Sequence, residues 1–150
     1  MIQEDKELLF KDLCSRLPYN IIVDYGYNAF DVRKGNYVRH GSKCILTCDL
    51  LDVFMSPRQN ETGEYIKPYL FPLSSMTEEQ CYKFYCGFVE NETDYNDFKK
   101  YYFDGCLWSK VLTSINDCSD IIDWFNKNHF DYRDLIEKGL AIDATGLNIY

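Results

Sequence analysis

The chain reads as an α+β fold, one domain in which an antiparallel sheet of three to five strands packs against three or four helices. Three observations predict it. Apolar residues recur at helical spacing in three separate stretches, and a period of two runs through residues 20–55. A chain of 150 residues that is 46% hydrophobic and 17% aromatic, with thirteen Tyr and ten Phe, can bury one sizeable core and is too apolar for disorder.

Residues 5–17 predict the first helix, with Leu9, Leu13 and Leu17 four apart and Phe10 and Cys14 beside them. Glu4, Asp5 and Glu7 suit its first turn, and Pro18 ends it. Residues 20–55 predict an antiparallel meander, since Ile21, Val23, Tyr25 and Tyr27 alternate with Ile22, Asp24 and Gly26. Turn chemistry falls at Asn28-Ala29, Lys34-Gly35-Asn36 and His40-Gly41-Ser42. In Lys43–Met55, Cys44, Leu46, Cys48 and Leu50 would share one strand face, while Asp49–Met55 fits a helical turn equally well.

Residues 56–64 read as an exposed loop. Tyr65–Leu73 is apolar and twice interrupted by proline, which predicts an extended edge segment. Thr77 with Gln80 forms a capping box, with Ser75 and Glu78 as the same pattern in another register. Cys81, Phe84, Tyr85 and Phe88 then give a helical stripe to about Glu90. Residues 91–116 admit two readings: a hairpin about Asp104-Gly105, slightly favoured, or a helix over Tyr95–Phe103. The last helix starts near Ser119, with Ile121, Ile122, Trp124 and Phe125 on its apolar face. A short helix over Tyr132–Lys138 closes at Gly139, and Leu140–Ile142 predicts a final strand.

The net charge is −8, and its distribution is uneven. Residues 1–60 carry eight acidic and eight basic side chains, so the whole excess lies in residues 61–150. Glu90, Glu92, Asp94 and Asp97, then Asp117, Asp120 and Asp123, form its densest patches. No Lys/Arg stripe accompanies them, which disfavours nucleic acid and leaves a basic protein partner or simple solubility. No apolar run reaches the roughly 18–20 residues of a membrane helix. The acidic N-terminus does not read as a signal peptide. The seven cysteines (14, 44, 48, 81, 86, 106 and 118) are odd in number and scattered, so they read as reduced thiols in a cytoplasmic protein. Neither Cys44-x3-Cys48 nor Cys81-x4-Cys86 makes a convincing zinc knuckle, and neither a metal nor a cofactor is expected.

Chemically capable side chains crowd into residues 126–134. His129 and Asp131 could form a proton-transferring pair, with Arg133 holding an anion and Tyr132 or Asp134 assisting. The competing interpretation is architectural. His129 would donate to the last carbonyls of the preceding helix, and Asp131 would cap the next helix with Asp134 in the reciprocal position. Residues His40-Gly41-Ser42 lack the flanking glycine pattern of a nucleophile elbow, and no phosphate-binding loop or metalloprotease motif is present.

Two stretches carry a resemblance. Lys67-Pro68-Tyr69-Leu70-x-Pro72-x-Ser74-Ser75-Met76-Thr77-Glu78-Glu79 is the first. The second is Asp123-Trp124-x-Asn126-x-x-His129-Phe130-Asp131-Tyr132-Arg133-x-Leu135-Ile136-x-x-Gly139-Leu140-Ala141. Together they resemble a family of small uncharacterised proteins of gut anaerobic bacteria, their prophages and other mobile elements. That resemblance implies a cytosolic accessory protein and names no reaction; it also implies a glycine where this chain has Asp134. The expected function is non-enzymatic binding of a protein partner through the acidic face. A small hydrolase or phosphoryl-handling enzyme built on His129, Asp131 and Arg133, and a phage structural or assembly role, are the alternatives.

Overall fold

The fold was determined as a computed structural model that describes residues 2–56, 65–88 and 118–150. Among these, four α-helices accompany a sheet of five strands, β1 (Ile22–Asp31), β2 (Asn36–Ile45), β3 (Tyr65–Pro72), β4 (Phe130–Asp131) and β5 (Ile142–Asp143), in the order β2-β1-β3-β4 with β5 also on β3. The α+β class is as expected, but the sheet is mixed. Its first three strands are antiparallel, whereas β4 and β5 join β3 in parallel.

Helix α1 (Gln3–Arg16) buries Leu9 and Leu13, as their spacing predicts, and on the same face it buries Asp12 and Arg16. Pro18 sits in a 3-10 turn, Leu17–Tyr19, and Asn20 at φ 55° turns the chain into the sheet. There the expected meander of short strands is replaced by one long hairpin. β1 (Ile22–Asp31) and β2 (Asn36–Ile45) pair without a break from Ile22↔Ile45 to Asp31↔Asn36. Only the turn at Lys34-Gly35-Asn36 forms, with Gly35 at φ 66° and Asp31 O accepting from Lys34 N and Gly35 N.

The two other predicted turns are mid-strand, for a packing reason. Gly26 lies opposite Gly41, and a Cβ on Gly26 would run into the Tyr65 ring. Two facing glycines make a slot, and Tyr65 fills it. Its hydroxyl donates to Asp24 Oδ2 (3.0 Å) and accepts from Arg39 Nε (3.1 Å). Asn28 and His40 remain extended as cross-strand neighbours of Arg39 and Tyr27.

The ambiguous stretch after β2 becomes helix α2 (Cys48–Met55), because Thr47 caps it by accepting from Leu50 N (3.3 Å). Strand β3 (Tyr65–Pro72) is central in the sheet, not an edge. Its prolines are tolerated by position: Pro68 closes the β1 ladder and Pro72 the β4 ladder, so each missing N–H falls at a ladder end. A 3-10 turn, Leu73–Ser75, leads to α3 (Glu78–Phe88). The capping box forms as predicted: Thr77 N donates to Gln80 Oε1 (2.8 Å), and Gln80 N donates to Thr77 Oγ1 (3.2 Å). Ser75 takes no part in it, its hydroxyl donating to Pro72 O (2.7 Å).

Helix α4 (Cys118–Lys127) is followed by β4 (Phe130–Asp131) and β5 (Ile142–Asp143). The buried apolar side chains form two clusters. One gathers Leu9, Leu13, Ile21, Val23, Phe54, Ile66, Leu70 and Leu135 from α1, α2, the sheet with the residue leading into it, and the C-terminal turns. The other is aromatic and holds α3 against α4, with Phe84 at 4.9 Å from Trp124 and 5.3 Å from Phe125. The expected loop at 56–64 and both readings of 91–116 fall, apart from Ser56, outside the described residues. No helix among the described residues is long and apolar enough to cross a membrane.

Candidate functional site

Residues 126–141 fold by reversals of direction. Helix α4 ends when Asn128 Nδ2 donates to Trp124 O (2.8 Å) and His129 enters the left-handed region at φ 59°. Asn128, not the expected His129, therefore supplies the side-chain cap. After β4 the expected short helix Tyr132–Lys138 is absent, and its residues form successive turns. Asp134 at φ 57° interrupts them, because a left-handed residue cannot continue a right-handed helix. Leu135 O then accepts from both Leu140 N (2.8 Å) and Ala141 N (3.1 Å), with Gly139 at φ 70°.

Asp131 organises these turns. Its buried carboxylate accepts from Arg133 N (3.2 Å) and Leu135 N (3.0 Å) through Oδ1, and from Ile136 N (2.8 Å) through Oδ2. The expected capping role is present, though without the expected helix. Asp134 does not return a bond to it and is exposed. No hydrogen bond joins Asp131 to His129 among the described residues, so the proposed proton-transferring pair is not assembled.

His129 lies face to face with Tyr150, ring centres 3.9 Å apart and planes 14° from parallel. Burial, and secondarily the Arg16 charge, lower its pKa from 6.5 to about 4. It is neutral at neutral pH. Tyr150 is held by its hydroxyl, which donates to Tyr69 O (2.8 Å) and accepts from Ile22 N (3.2 Å). Desolvation of that hydroxyl pushes its pKa up from 10 to about 12, against smaller lowering effects of Ile22 and Arg16.

Arg133 points inward. Its Nη2 donates to the Tyr132 hydroxyl (3.0 Å), and its Nε lies 3.3 Å from Asp12 Oδ1, an ion pair whose angles miss hydrogen-bond geometry. Asp12 in turn holds Arg16: Arg16 Nε donates to Asp12 Oδ2 (2.7 Å), and both side chains are fully buried. The remaining Arg16 contact is long-range, Nη2 to Phe130 O (2.7 Å). Both guanidiniums lie over the Tyr132 ring, at 5.3 Å for Arg16 and 5.0 Å for Arg133. The result is a charge network that fastens α1 to the start of the C-terminal turns. Asp12, Arg16 and Tyr150 were missed in the sequence, although Asp12 and Arg16 interrupt the Leu9/Leu13 face at i,i+4 spacing, a visible signal. Asn126, also fully buried, was noted only as part of the crowded segment.

His129, Asp131, Tyr132 and Arg133 thus share a neighbourhood, but their partners differ: Tyr150 for His129, three backbone amides for Asp131, and Asp12 and the Tyr132 hydroxyl for Arg133. An open cavity of about 350 Å³ is lined by Ile22, Lys43, Cys44, Ile45, Asn148 and Ile149. Of the seven acidic residues singled out, Glu90, Glu92, Asp94, Asp97 and Asp117 lie outside the described residues. Asp120 and Asp123 are exposed on α4, where Asp123 accepts from the Tyr19 hydroxyl. Among the described residues no three His, Cys, Asp or Glu side chains gather as a metal site.

A second surface has the opposite character. Strand β3 pairs with β1 only over Val23–Gly26, so the outer hairpin extends beyond it. That outer part carries Val32 at 84%, Tyr37 at 70% and Phe30 at 53% exposure. Phe30 meets Tyr37 edge to face at 5.3 Å on one side of the ribbon, and Tyr27 stacks on His40 at 5.4 Å on the other. Compared with protein-family models, curated proteins and solved structures, this chain matches none.

Proposed function

We propose that the protein acts by binding another polypeptide, without catalysis by the 126–134 cluster. The observation that carries this reading is the outer β1–β2 hairpin. Exposed large apolar side chains cost solubility, and a group of them on a projecting ribbon is characteristic of a contact surface. The side chains a reaction would need have other tasks, as Asp131 accepts from three amides and Arg133 is turned toward Asp12. The hydrolase or phosphoryl-handling alternative is weakened accordingly. In line with the resemblance noted above, the setting we propose is a cytosolic accessory protein of phage or mobile-element origin that occupies a host factor. The hairpin replaces the acidic face as the proposed contact surface, with Asp120 and Asp123 left as solvated charges on α4.

The test is affinity capture from a host-cell lysate with the full chain and with its Phe30→Ser/Tyr37→Ser variant, matched by circular dichroism. A stoichiometric partner retained by the wild type and lost by the variant supports the reading. The same proteins recovered by both, or none by either across several salt concentrations, would overturn it.

A further inference from the structure

The kind of partner can be narrowed further, resting on the partner-binding reading above. Strand order puts β2 at the end of the sheet, so the outer edge of Asn36–Ile45 has no strand beside it among the described residues. Eight of its ten residues are exposed. Such an edge offers amide donors and carbonyl acceptors in alternation, an array that another polypeptide strand matches and a phosphate backbone does not.

The charge of the hairpin narrows the choice again. Residues 22–45 hold Arg33, Lys34, Arg39 and Lys43 against Asp24 and Asp31, a net of +2 in a chain of −8, so the remainder carries −10. Both hairpin carboxylates are already engaged by the protein. Asp24 accepts from Tyr65 and lies opposite Lys43, while Asp31 accepts from the amides of Arg33 and Lys34. Arg33, Lys34, Arg39, His40 and Lys43 are all exposed. A second copy pairing antiparallel, edge to edge, about Gly41 would set Arg39 of each copy against Lys43 of the other, and like charges on an open edge are a usual way of avoiding self-association. An acidic strand meets no such repulsion there.

The base of the edge supplies a pocket. The cavity of about 350 Å³ adjoins the C-terminal end of β2, with Ile22, Ile45 and Ile149 giving it an apolar lining and Lys43 also among its lining residues, its ammonium 5.1 Å from the centre of the Tyr69 ring. In strand addition, backbone bonds supply affinity and pockets for alternate side chains supply selectivity. We propose that the outer edge of β2 receives an extended, acidic polypeptide segment as an added strand, one of whose apolar side chains enters the cavity beside Ile45. Exposed Tyr37 and Ile45, together on one face of β2, then flank the segment.

The experiment pans a display library of random peptides against the full chain, followed by binding and amide hydrogen exchange with the enriched sequences. Enrichment of Asp/Glu-containing peptides with β-branched or aromatic residues is expected, together with new protection of amides in 36–45. Lys43→Glu should weaken their affinity about tenfold at low salt, and less at high salt. Failure to enrich peptides, enrichment of non-acidic ones, absence of protection at β2, or indifference to Lys43→Glu would each overturn strand addition. So would a single-stranded oligonucleotide that binds the hairpin and displaces the peptide. These failures leave the wider partner-binding reading to the lysate capture, where the Phe30/Tyr37 variant decides it separately.

Discussion

The C-terminal turns and the outer hairpin direct their side chains in opposite ways. Between residues 126 and 141, Asp131 and Arg133 are turned inward onto polar protein partners, while His129 stacks on Tyr150 and Asn126 is fully buried. In the hairpin, ordinary aromatic and basic residues are turned outward on a ribbon whose pairing with β3 stops at Gly26. Residue type alone therefore does not distinguish a group with a structural task from one left open to contact. A carboxylate that already accepts from three amides is an architectural element, whereas a tyrosine left 70% exposed is available for contact.

The sharpest way to break this contrast is at the buried charges. Arg16→Leu removes the strong partner of Asp12 and leaves the carboxylate enclosed, facing only Arg133 at 3.3 Å. Removing one member of a buried pair costs about 3–5 kcal/mol, which chemical denaturation would read directly. Asp12→Leu/Arg16→Leu should recover part of that loss, because no uncompensated carboxylate remains. A cost below about 1 kcal/mol for Arg16→Leu, the range of exposed pairs, would show that the network is solvated.

Within the hairpin, base and tip should differ. At the base, Gly26→Ala sets a methyl group against the Tyr65 ring, which cannot move without leaving Asp24 and Arg39. Overpacking of this kind costs about 1–3 kcal/mol. At the tip, Val32→Ser should fall within about 0.5 kcal/mol of wild type, as an exposed side chain packed on nothing. Equal costs at both positions would mean the tip is supported after all.

How far the sequence revealed this depends on the range of the interactions. The capping box at Thr77/Gln80, the α1 stripe and the turn at Gly35 are local, and each was legible. The Gly26/Gly41 slot was not, since Gly26 reads as one more strand position and Gly41, fifteen residues on, as a turn until Tyr65 is known to lie across them. Strand β3 looked like an edge because proline usually marks one, and the parallel partners that make it central come from the other end of the chain. At the site, the capping function of Asp131 was legible from its neighbours. The Arg16 bond to Phe130 O spans 114 positions, and no local pattern reveals it.

Acid should act on the C-terminal region before it acts on the hairpin. The folded-state pKa of His129, about 4, lies below its ordinary 6.5, so the folded protein binds fewer protons than the unfolded chain between those values. Stability contributed by neutral His129 is therefore full above pH 6.5 and is lost as pH falls toward 4. Tyr150 sets the opposite limit. Its pKa is raised from 10 to about 12, so its contribution is present below pH 10 and lost as pH rises toward 12. Thermal melts across pH should show a plateau between these limits, and His129→Phe should flatten the acid side. An unchanged acid limb would assign the titration to other groups.

The smallest effect expected has an unusual sign. Asp134 sits at φ 57°, exposed, where L-residues are strained, Asn and Asp least among them, and glycine is not. The resemblance to the mobile-element family implies glycine at this position, and the backbone gives a physical reason for one. Asp134→Gly removes the left-handed strain but adds freedom to the unfolded chain, so the net gain should be only about 0.5 kcal/mol. Asp134→Val should instead lose more than about 1 kcal/mol, because a β-branched side chain tolerates this conformation poorly. A glycine variant less stable than wild type would reveal a bond made by the Asp134 carboxylate and weaken the view that conformation alone governs the position.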